Sequence, residues 1–167
     1  KTWVMKHFGL TEFENVASIN CDVEPMAKEV FAADYNIPRI LLALQAITGT
    51  KIEAGKTLIV FDELQEVERG LHSLKYFQEN APEYHVMAAG SLLGITLGKG
   101  QSFPVGKVNV MRLYPMDFEE FLMAAGETDL CDLLHQPDWE ILKILSLKYV
   151  DLLRQYYYVG GMPEVVD

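Results

Sequence analysis

The chain has 167 residues, of which 50% are hydrophobic and 23% charged, enough for a globular domain with its own core. Its net charge of −10 argues against direct nucleic-acid binding by this domain, because such binding needs Lys and Arg to displace phosphate counterions. No apolar run approaches the roughly 20 residues that span a bilayer, and the first residues do not form a signal peptide. We therefore expect a cytoplasmic protein without membrane contact.

The first part of the chain alternates helical and strand patterns. Apolar spacing over residues 3–8 predicts a short helix that ends at Gly9. Residues 16–21 predict a strand. An apolar face repeated over residues 37–47 predicts a second helix, which Gly49 ends.

Three more strands are predicted, over residues 57–61, 84–89 and 107–113. The first of them is a continuous apolar run, which is typical of a strand buried on both faces of a parallel sheet. Helical spacing from Val67 to Phe77 separates it from the second. Asp117 is predicted to start a helix, and Asp138 to cap a long helix that runs to about Tyr158.

This alternation predicts an α/β fold, a three-layer structure in which helices cover both faces of a parallel sheet. Four strands are recognisable, and we expect a fifth upstream of Lys1. The chain starts without an initiator Met, so we expect that it is cut at its N-terminus.

Asp62 and Glu63 directly follow the apolar run. Acids at the carboxyl end of a buried parallel strand are costly unless a site uses them, and ligands bind at that edge of open α/β sheets. In a P-loop NTPase the first acid orients Mg²⁺ and the second activates the attacking water. The alternative is that the strand ends and two acids begin a solvated loop.

Lys1-Thr2 has the form of the last two residues of a phosphate-binding loop, GxxxxGK[ST], and a helix follows it at once. In such a loop the Lys reaches the β- and γ-phosphates, and the hydroxyl binds Mg²⁺. Gly55-Lys56-Thr57 spells a similar ending but leads into a strand, so we interpret it as a turn. Ser91, just after the 84–89 strand, is a candidate to sense the γ-phosphate or to hold the attacking water. The alternative is that it caps a helix or turn.

Together these residues resemble the prokaryotic AAA-like ATPases whose C-terminal half is a domain of unknown function. The matching stretches are Lys1-Thr2, Ile19 to Asp22, Leu58 to Gln65, Ala89 to Leu93, Leu113 to Phe121, and Tyr158 to Glu164. Their order and spacing hold across nearly the whole chain.

The resemblance implies ATP binding and hydrolysis with Mg²⁺ by an ASCE-type P-loop sheet, in which one strand separates the Walker A and Walker B strands. It implies an ATPase core over residues 1–125 and the start of a helical lid or linker over 126–167. It also implies a longer natural protein, with a C-terminal domain resembling restriction endonucleases and a homo-oligomer as a possible assembly.

Two departures from the family pattern matter. The Walker A glycines and their strand are absent from this sequence, so we expect the fragment alone to be inactive. Relatives commonly carry Gly-Arg where this chain has Gly106-Lys107, and Lys is a weaker source of transition-state charge than Arg. Arg112 is the alternative source, or else a solvated charge.

The remaining candidates are assigned structural roles. We predict no metal role for the four histidines, which we interpret as scattered and unpaired with any cysteine, and two buried thiols for Cys21 and Cys131. Tyr156 to Tyr158 are interpreted as core or docking residues rather than a base-stacking surface.

Two other functions compete with the ATPase. A nucleotide-dependent switch would bind ATP with little turnover, and Lys107 favours it, whereas Glu63 favours hydrolysis. An unrelated α/β binding domain would leave Lys1 far from Asp62, or the 57–61 strand without a neighbour.

Overall fold

The computed structural model describes residues 1–32, 34–90 and 106–163. This part of the chain contains three parallel strands and eight α-helices. They divide into two units, Lys1–Met111 and Arg112–Asp167. None of the described helices combines the length and the apolar character needed to cross a bilayer. The sequence predicts the boundary between the ATPase core and the lid after residue 125, whereas the packing units meet after Met111. The functional boundary stays a prediction.

The first unit contains the sheet, whose strands are β1 (Asn15–Asn20), β2 (Thr57–Asp62) and β3 (His85–Ala89), in the order β1-β2-β3. Both pairings are parallel, and Asp62 lies opposite Asn20 on one side and Ala89 on the other. All three strands therefore end at the same edge. The helices of this unit are α1 (Thr2–Glu12), α2 (Pro25–Ala32), α3 (Ile37–Thr48) and α4 (Gly70–Asn80), with a 3₁₀ turn over Leu64–Glu66.

β2 is buried along its whole length, as its apolar run predicts. Its residues point alternately to two hydrophobic clusters. Leu58 and Val60 pack in the cluster that contains Met5 of α1. Ile59 and Phe61 pack in the larger cluster formed with α2, α3 and α4. Helices therefore cover both faces of a parallel sheet, which confirms the predicted fold class.

α1 passes through Gly9 and ends at Glu12, so the predicted end at Gly9 is wrong. Gly9 is buried against the sheet, and a Cβ atom there would lie 2.5 Å from Cγ2 of Val16. The glycine is therefore explained by the close approach of helix and strand rather than by chain termination. Gly49, in contrast, ends α3 in the left-handed conformation, as predicted.

The predicted strand over residues 107–113 is not formed; residues 106–117 contain no strand or helix. Val110, Met111 and Leu113 are exposed. A strand needs a neighbour for its backbone hydrogen bonds, and within the described residues the sheet contains only β1, β2 and β3. Alternating apolar residues indicate the capacity to form a strand, not the presence of that neighbour.

The second unit consists of α5 (Phe118–Ala124), α6 (Thr128–His135), α7 (Trp139–Ile144) and α8 (Ser146–Val159). Asp117 caps α5 in a reciprocal capping box with Glu120, and Asp138 caps α7, so both predicted starts are confirmed. The predicted single helix from Asp138 is interrupted at Leu145, whose ψ of 3° leaves helical geometry. This turn allows Leu145 to pack in the cluster around Phe121 and Leu122.

Two of the stretches that carry the family resemblance contact each other in this unit, one at Met116 and the other at Tyr156 and Gly161. The Met116 amide donates to the Gly161 carbonyl at 2.7 Å, and the Tyr156 hydroxyl donates to the Met116 carbonyl at 2.9 Å. The ring of Tyr156 contacts Phe118 and Phe121, whereas Tyr157 and Tyr158 are exposed. Tyr156 is therefore a core residue, and its two neighbours are not.

We expect Gly161→Ala to lower the free energy of unfolding by about 1–3 kcal/mol. A Cβ atom at this position would lie 2.2 Å from the Met116 carbonyl oxygen, and a backbone atom cannot rotate away. Urea unfolding measures the loss, with Met162→Ala as the control, because Met162 is the next residue and is exposed. A Gly161→Ala protein as stable as this control would contradict the close contact.

Candidate functional site

The start of α1 meets the end of β2 at four polar side chains. Thr2 Oγ1 donates to Asp62 Oδ2 at 2.6 Å. Lys1 Nζ donates to Glu63 Oε1 at 2.7 Å. These pairs lie 60 and 62 residues apart in the sequence, and only the fold brings them together. Four residues that the sequence predicts for one site are therefore in contact.

Asp62 is buried, with 7% of its surface exposed, although it is a carboxylate. Its second oxygen, Oδ1, is also buried and has no hydrogen-bond partner among the described residues. An unsatisfied buried acceptor costs about 1–3 kcal/mol, and more when it is charged. A carboxylate oxygen kept in this state beside a hydroxyl group fits an Mg²⁺ site, because Mg²⁺ prefers oxygen ligands and retains bound water that can donate to such an acceptor.

Glu63 adopts a left-handed backbone conformation, with φ 50° and ψ 43°. Residues other than Gly, Asn and Asp rarely adopt it, and such strain is concentrated at functional sites. The turn places Glu63 at the start of the 3₁₀ turn, where its carboxylate accepts from Lys1 and from Nε2 of Gln65. The second acid of the pair is thereby held toward α1.

Lys1 and Thr2 stand at the N-terminus of α1, with the Met5 amide bonded to the Lys1 carbonyl. The first amides of a helix and its dipole favour anions. A cation, helix amides, a hydroxyl and two carboxylates therefore meet at the edge where the strands end. This combination suits a phosphate group together with a divalent cation.

Cys21 lies beside this group and is fully buried; its amide donates to the Asp62 carbonyl at 2.8 Å. Burial raises the pKa of the Cys21 thiol to about 12, and the charge of Asp62 adds to the effect. The thiol is therefore neutral at physiological pH, in agreement with a structural role for this cysteine.

This raised pKa predicts a loss of stability at alkaline pH. In the unfolded chain a thiol ionises at roughly 8.5, so above that pH only the unfolded state loses the proton, and the free energy of unfolding falls. Between about pH 9 and 11, we expect this free energy to fall more steeply in the natural protein than in Cys21→Ala. Equal slopes in urea unfolding would contradict the assignment.

The other predicted site residues are not part of this group. Ser91 lies outside the described residues. Lys107 pairs with Glu79 at 3.0 Å, and this hydrogen bond holds the pKa of the Glu79 carboxyl below its usual range. Arg112 belongs to the second unit, where its guanidinium lies 3.5 Å from the Tyr114 hydroxyl.

The position of Lys107 follows from its partner. Glu79 is near the end of α4, and the segment after α4 bonds to the turn before β2 through the Gly55 amide and the Glu83 carbonyl, at 2.9 Å. Lys107 therefore lies at the edge where the strands begin, and Asp62 at the edge where they end. Gly55 has φ 72° in a turn, as predicted for this second, false match to the phosphate-loop motif.

Gln65 is a site residue that the sequence analysis did not identify. Its Nε2 donates to Glu63, and its Oε1 is buried without a hydrogen-bond partner in the described part of the chain. The sequence feature that could have indicated it is its position two residues after Glu63. The side chain helps to orient the acid and carries a second buried acceptor at the site.

Comparison with known families is consistent with this geometry. A family model described as AAA domain matches residues 1–122 of the chain. No curated protein and no solved structure matches it. The family suggests a nucleotide-binding, ATPase-like activity, and the parallel sheet with helices on both faces agrees with a fold of the P-loop NTPase kind. The chain belongs to the AAA domain family.

Proposed function

We propose that this chain is the core of an AAA-like ATPase that binds ATP with Mg²⁺ and hydrolyses it when the predicted glycine loop precedes Lys1. The observation that carries the proposal is the pair of contacts Lys1–Glu63 and Thr2–Asp62. They join the residues of two predicted motifs, one that would bind phosphate and one that would activate water. The contacts weigh against an unrelated binding domain, which was expected to leave Lys1 far from Asp62, and the burial of Asp62 weighs against a solvated acidic loop.

Each residue has a role that its chemistry allows. Lys1 would bind the β- and γ-phosphates, and Thr2 and Asp62 would hold Mg²⁺, with Asp62 in its outer shell. Mg²⁺ would supply charge neutralisation at the phosphates. Glu63 would accept a proton from the attacking water. Ser91 would sense the γ-phosphate, and Lys107 or Arg112 would supply transition-state charge.

The ion pair between Lys1 and Glu63 connects binding to catalysis. A carboxylate that accepts from an ammonium group is a weaker base toward water, because the positive charge stabilises its ionised form. Phosphate oxygens compete with Glu63 for Lys1, since both are anionic acceptors. Nucleotide binding would draw Lys1 away and release Glu63 to act on water. The acid would therefore be activated only when ATP is present.

A nucleotide-dependent switch with little turnover is the second candidate. Lys107 favours it, because its ammonium group pairs with Glu79 at the edge where the strands begin. If no other cation reached the γ-phosphate, hydrolysis would be slow, since such a charge is worth roughly 10³–10⁵ in rate. A second copy of the chain or Arg112 could supply it, and we propose a homo-oligomer on this ground.

The first experiment measures Mg²⁺-dependent ATP binding and turnover by a protein that also carries the predicted glycine loop before Lys1. Binding with turnover supports the ATPase, and tight binding with negligible turnover supports the switch. No binding would contradict both functions. We also propose that residues 126–167 form the start of a lid or linker. The same measurement on a protein that ends at residue 125 tests whether turnover needs this region.

A further inference from the structure

Glu119, Cys131 and His135 bring three different metal-binding atoms together in the second unit. One carboxylate oxygen, the thiol sulfur and one ring nitrogen all lie within 4.8 Å of one another. The Nε2 atom of His135 is 3.1 Å from Oε2 of Glu119. The cluster mixes oxygen, sulfur and nitrogen, and it is therefore different from an ordinary group of surface acids.

The helices explain how the three side chains meet. Cys131 and His135 stand at positions i and i+4 of α6, which places them on the same face of that helix. Glu119 is in the first turn of α5, and α5 and α6 share a buried cluster that contains Leu122 and Leu130. Our prediction that the histidines are unpaired with any cysteine is therefore wrong for His135.

Burial differs across the cluster in a way that suits a site open to solvent. Cys131 is buried, whereas the side chains of His135 and Glu119 are 61% and 46% exposed. The carboxylate of Glu119 attracts a cation to this position, and the cation would replace the thiol proton of Cys131.

The spacing is close to that of a bound metal. Ligands of tetrahedral Zn²⁺, at bond lengths of 2.0–2.3 Å, lie roughly 3.3–3.8 Å apart, so a pair 4.8 Å apart would need to close by about 1–1.5 Å. Two ligands four residues apart on one helix and a third from a neighbouring element form a known pattern of zinc sites. Thiolate and imidazole ligands favour Zn²⁺ over Mg²⁺ or Ca²⁺.

We propose that Glu119, Cys131 and His135 bind a divalent cation of the zinc class, which joins α5 to α6. Cys131 binds as the thiolate and gives its proton to solvent, and a water molecule completes four-coordination. The site is independent of the proposed ATPase activity, because none of its residues belongs to the group around Asp62.

Cobalt(II) titration of the metal-free, reduced protein tests the site. We expect one equivalent of Co²⁺ to give a thiolate-to-metal charge-transfer band and the visible bands of four-coordinate cobalt, both removed by Zn²⁺. His135→Gln and Glu119→Gln should each weaken Co²⁺ binding at least about tenfold. Loss of an outer-shell partner already costs about that much, and these two residues are proposed as direct ligands. Cys131→Ser should remove the charge-transfer band. His7→Gln, which changes another exposed histidine, is the matched control and should bind as the natural protein does.

Thermal unfolding gives a second readout that does not depend on the spectrum. Zn²⁺ should raise the unfolding midpoint temperature of the natural protein and of His7→Gln, because a ligand stabilises the folded state that binds it. It should not raise the midpoint temperature of His135→Gln, which lacks one of the proposed ligands. His135 is exposed, so its substitution should leave the fold intact. Absence of the charge-transfer band in the natural protein, or equal binding by His135→Gln, would overturn the proposal and reduce the cluster to an ion pair over a buried thiol.

Discussion

Replacing Glu63 with Gln is expected to remove most ATP turnover, by at least about 100-fold, while nucleotide binding stays intact. The amide keeps the size of the side chain and cannot accept a proton. The substitution also removes the negative charge that pairs with Lys1 at 2.7 Å. Lys1 is then available to phosphate without competition, so we expect ATP to bind as tightly as before or a few-fold more tightly.

Glu66→Gln is the matched control for this substitution. Glu66 is exposed, lies on the same 3₁₀ turn and undergoes the same chemical change. Phosphate release and ATP affinity are measured side by side in the two variants and the natural protein, each with the predicted glycine loop. Equal turnover in Glu63→Gln and Glu66→Gln would contradict the role of Glu63. Tight binding with negligible turnover in all three proteins would instead favour the switch.

Much of the sheet was predictable from the sequence, because its signals are local. β2 is a continuous apolar run, and β1 and β3 end close to their predicted limits. The meeting of Lys1 with Glu63 was predictable as well. A helix that begins at Lys1 and a strand that ends at Asp62 reach the same edge of a parallel sheet.

The errors come from features that depend on partners distant in the sequence. Residues 107–113 have strand-like alternation, but alternation does not report whether a neighbouring strand exists. Leu145 interrupts a helix without Pro or Gly, because its side chain packs in a cluster with residues of α5 and α6. The missed pair of Cys131 and His135 is an exception, because these residues are four apart and the spacing is visible in the sequence. Only Glu119 joins them through the packing of α5 on α6.

Asp62→Asn is expected to separate function from stability. We expect Mg²⁺-dependent ATP binding to weaken by roughly 10–100-fold, the cost of losing an outer-shell partner of a metal, and turnover to fall with it. The Asn oxygen can still accept from Thr2, so the contact between α1 and β2 is kept. The buried charge with its unpaired Oδ1 is lost, and the free energy of unfolding should stay within about 1 kcal/mol or rise.

Asp22→Asn is the matched control, because Asp22 follows the end of the neighbouring strand β1 and is exposed. ATP titrations at several Mg²⁺ concentrations and urea unfolding are measured on both variants and the natural protein, each with the predicted glycine loop before Lys1. An Asp62→Asn protein that loses binding and stability together would mean that Asp62 has a structural role. An Asp62→Asn protein that keeps both would mean that the metal is held elsewhere. If Asp62 serves the metal rather than the fold, Asp62→Asn should lose binding and retain stability. The fold alone leaves the Oδ1 atom of Asp62 without a hydrogen-bond partner among the described residues, so it gains little from the carboxylate.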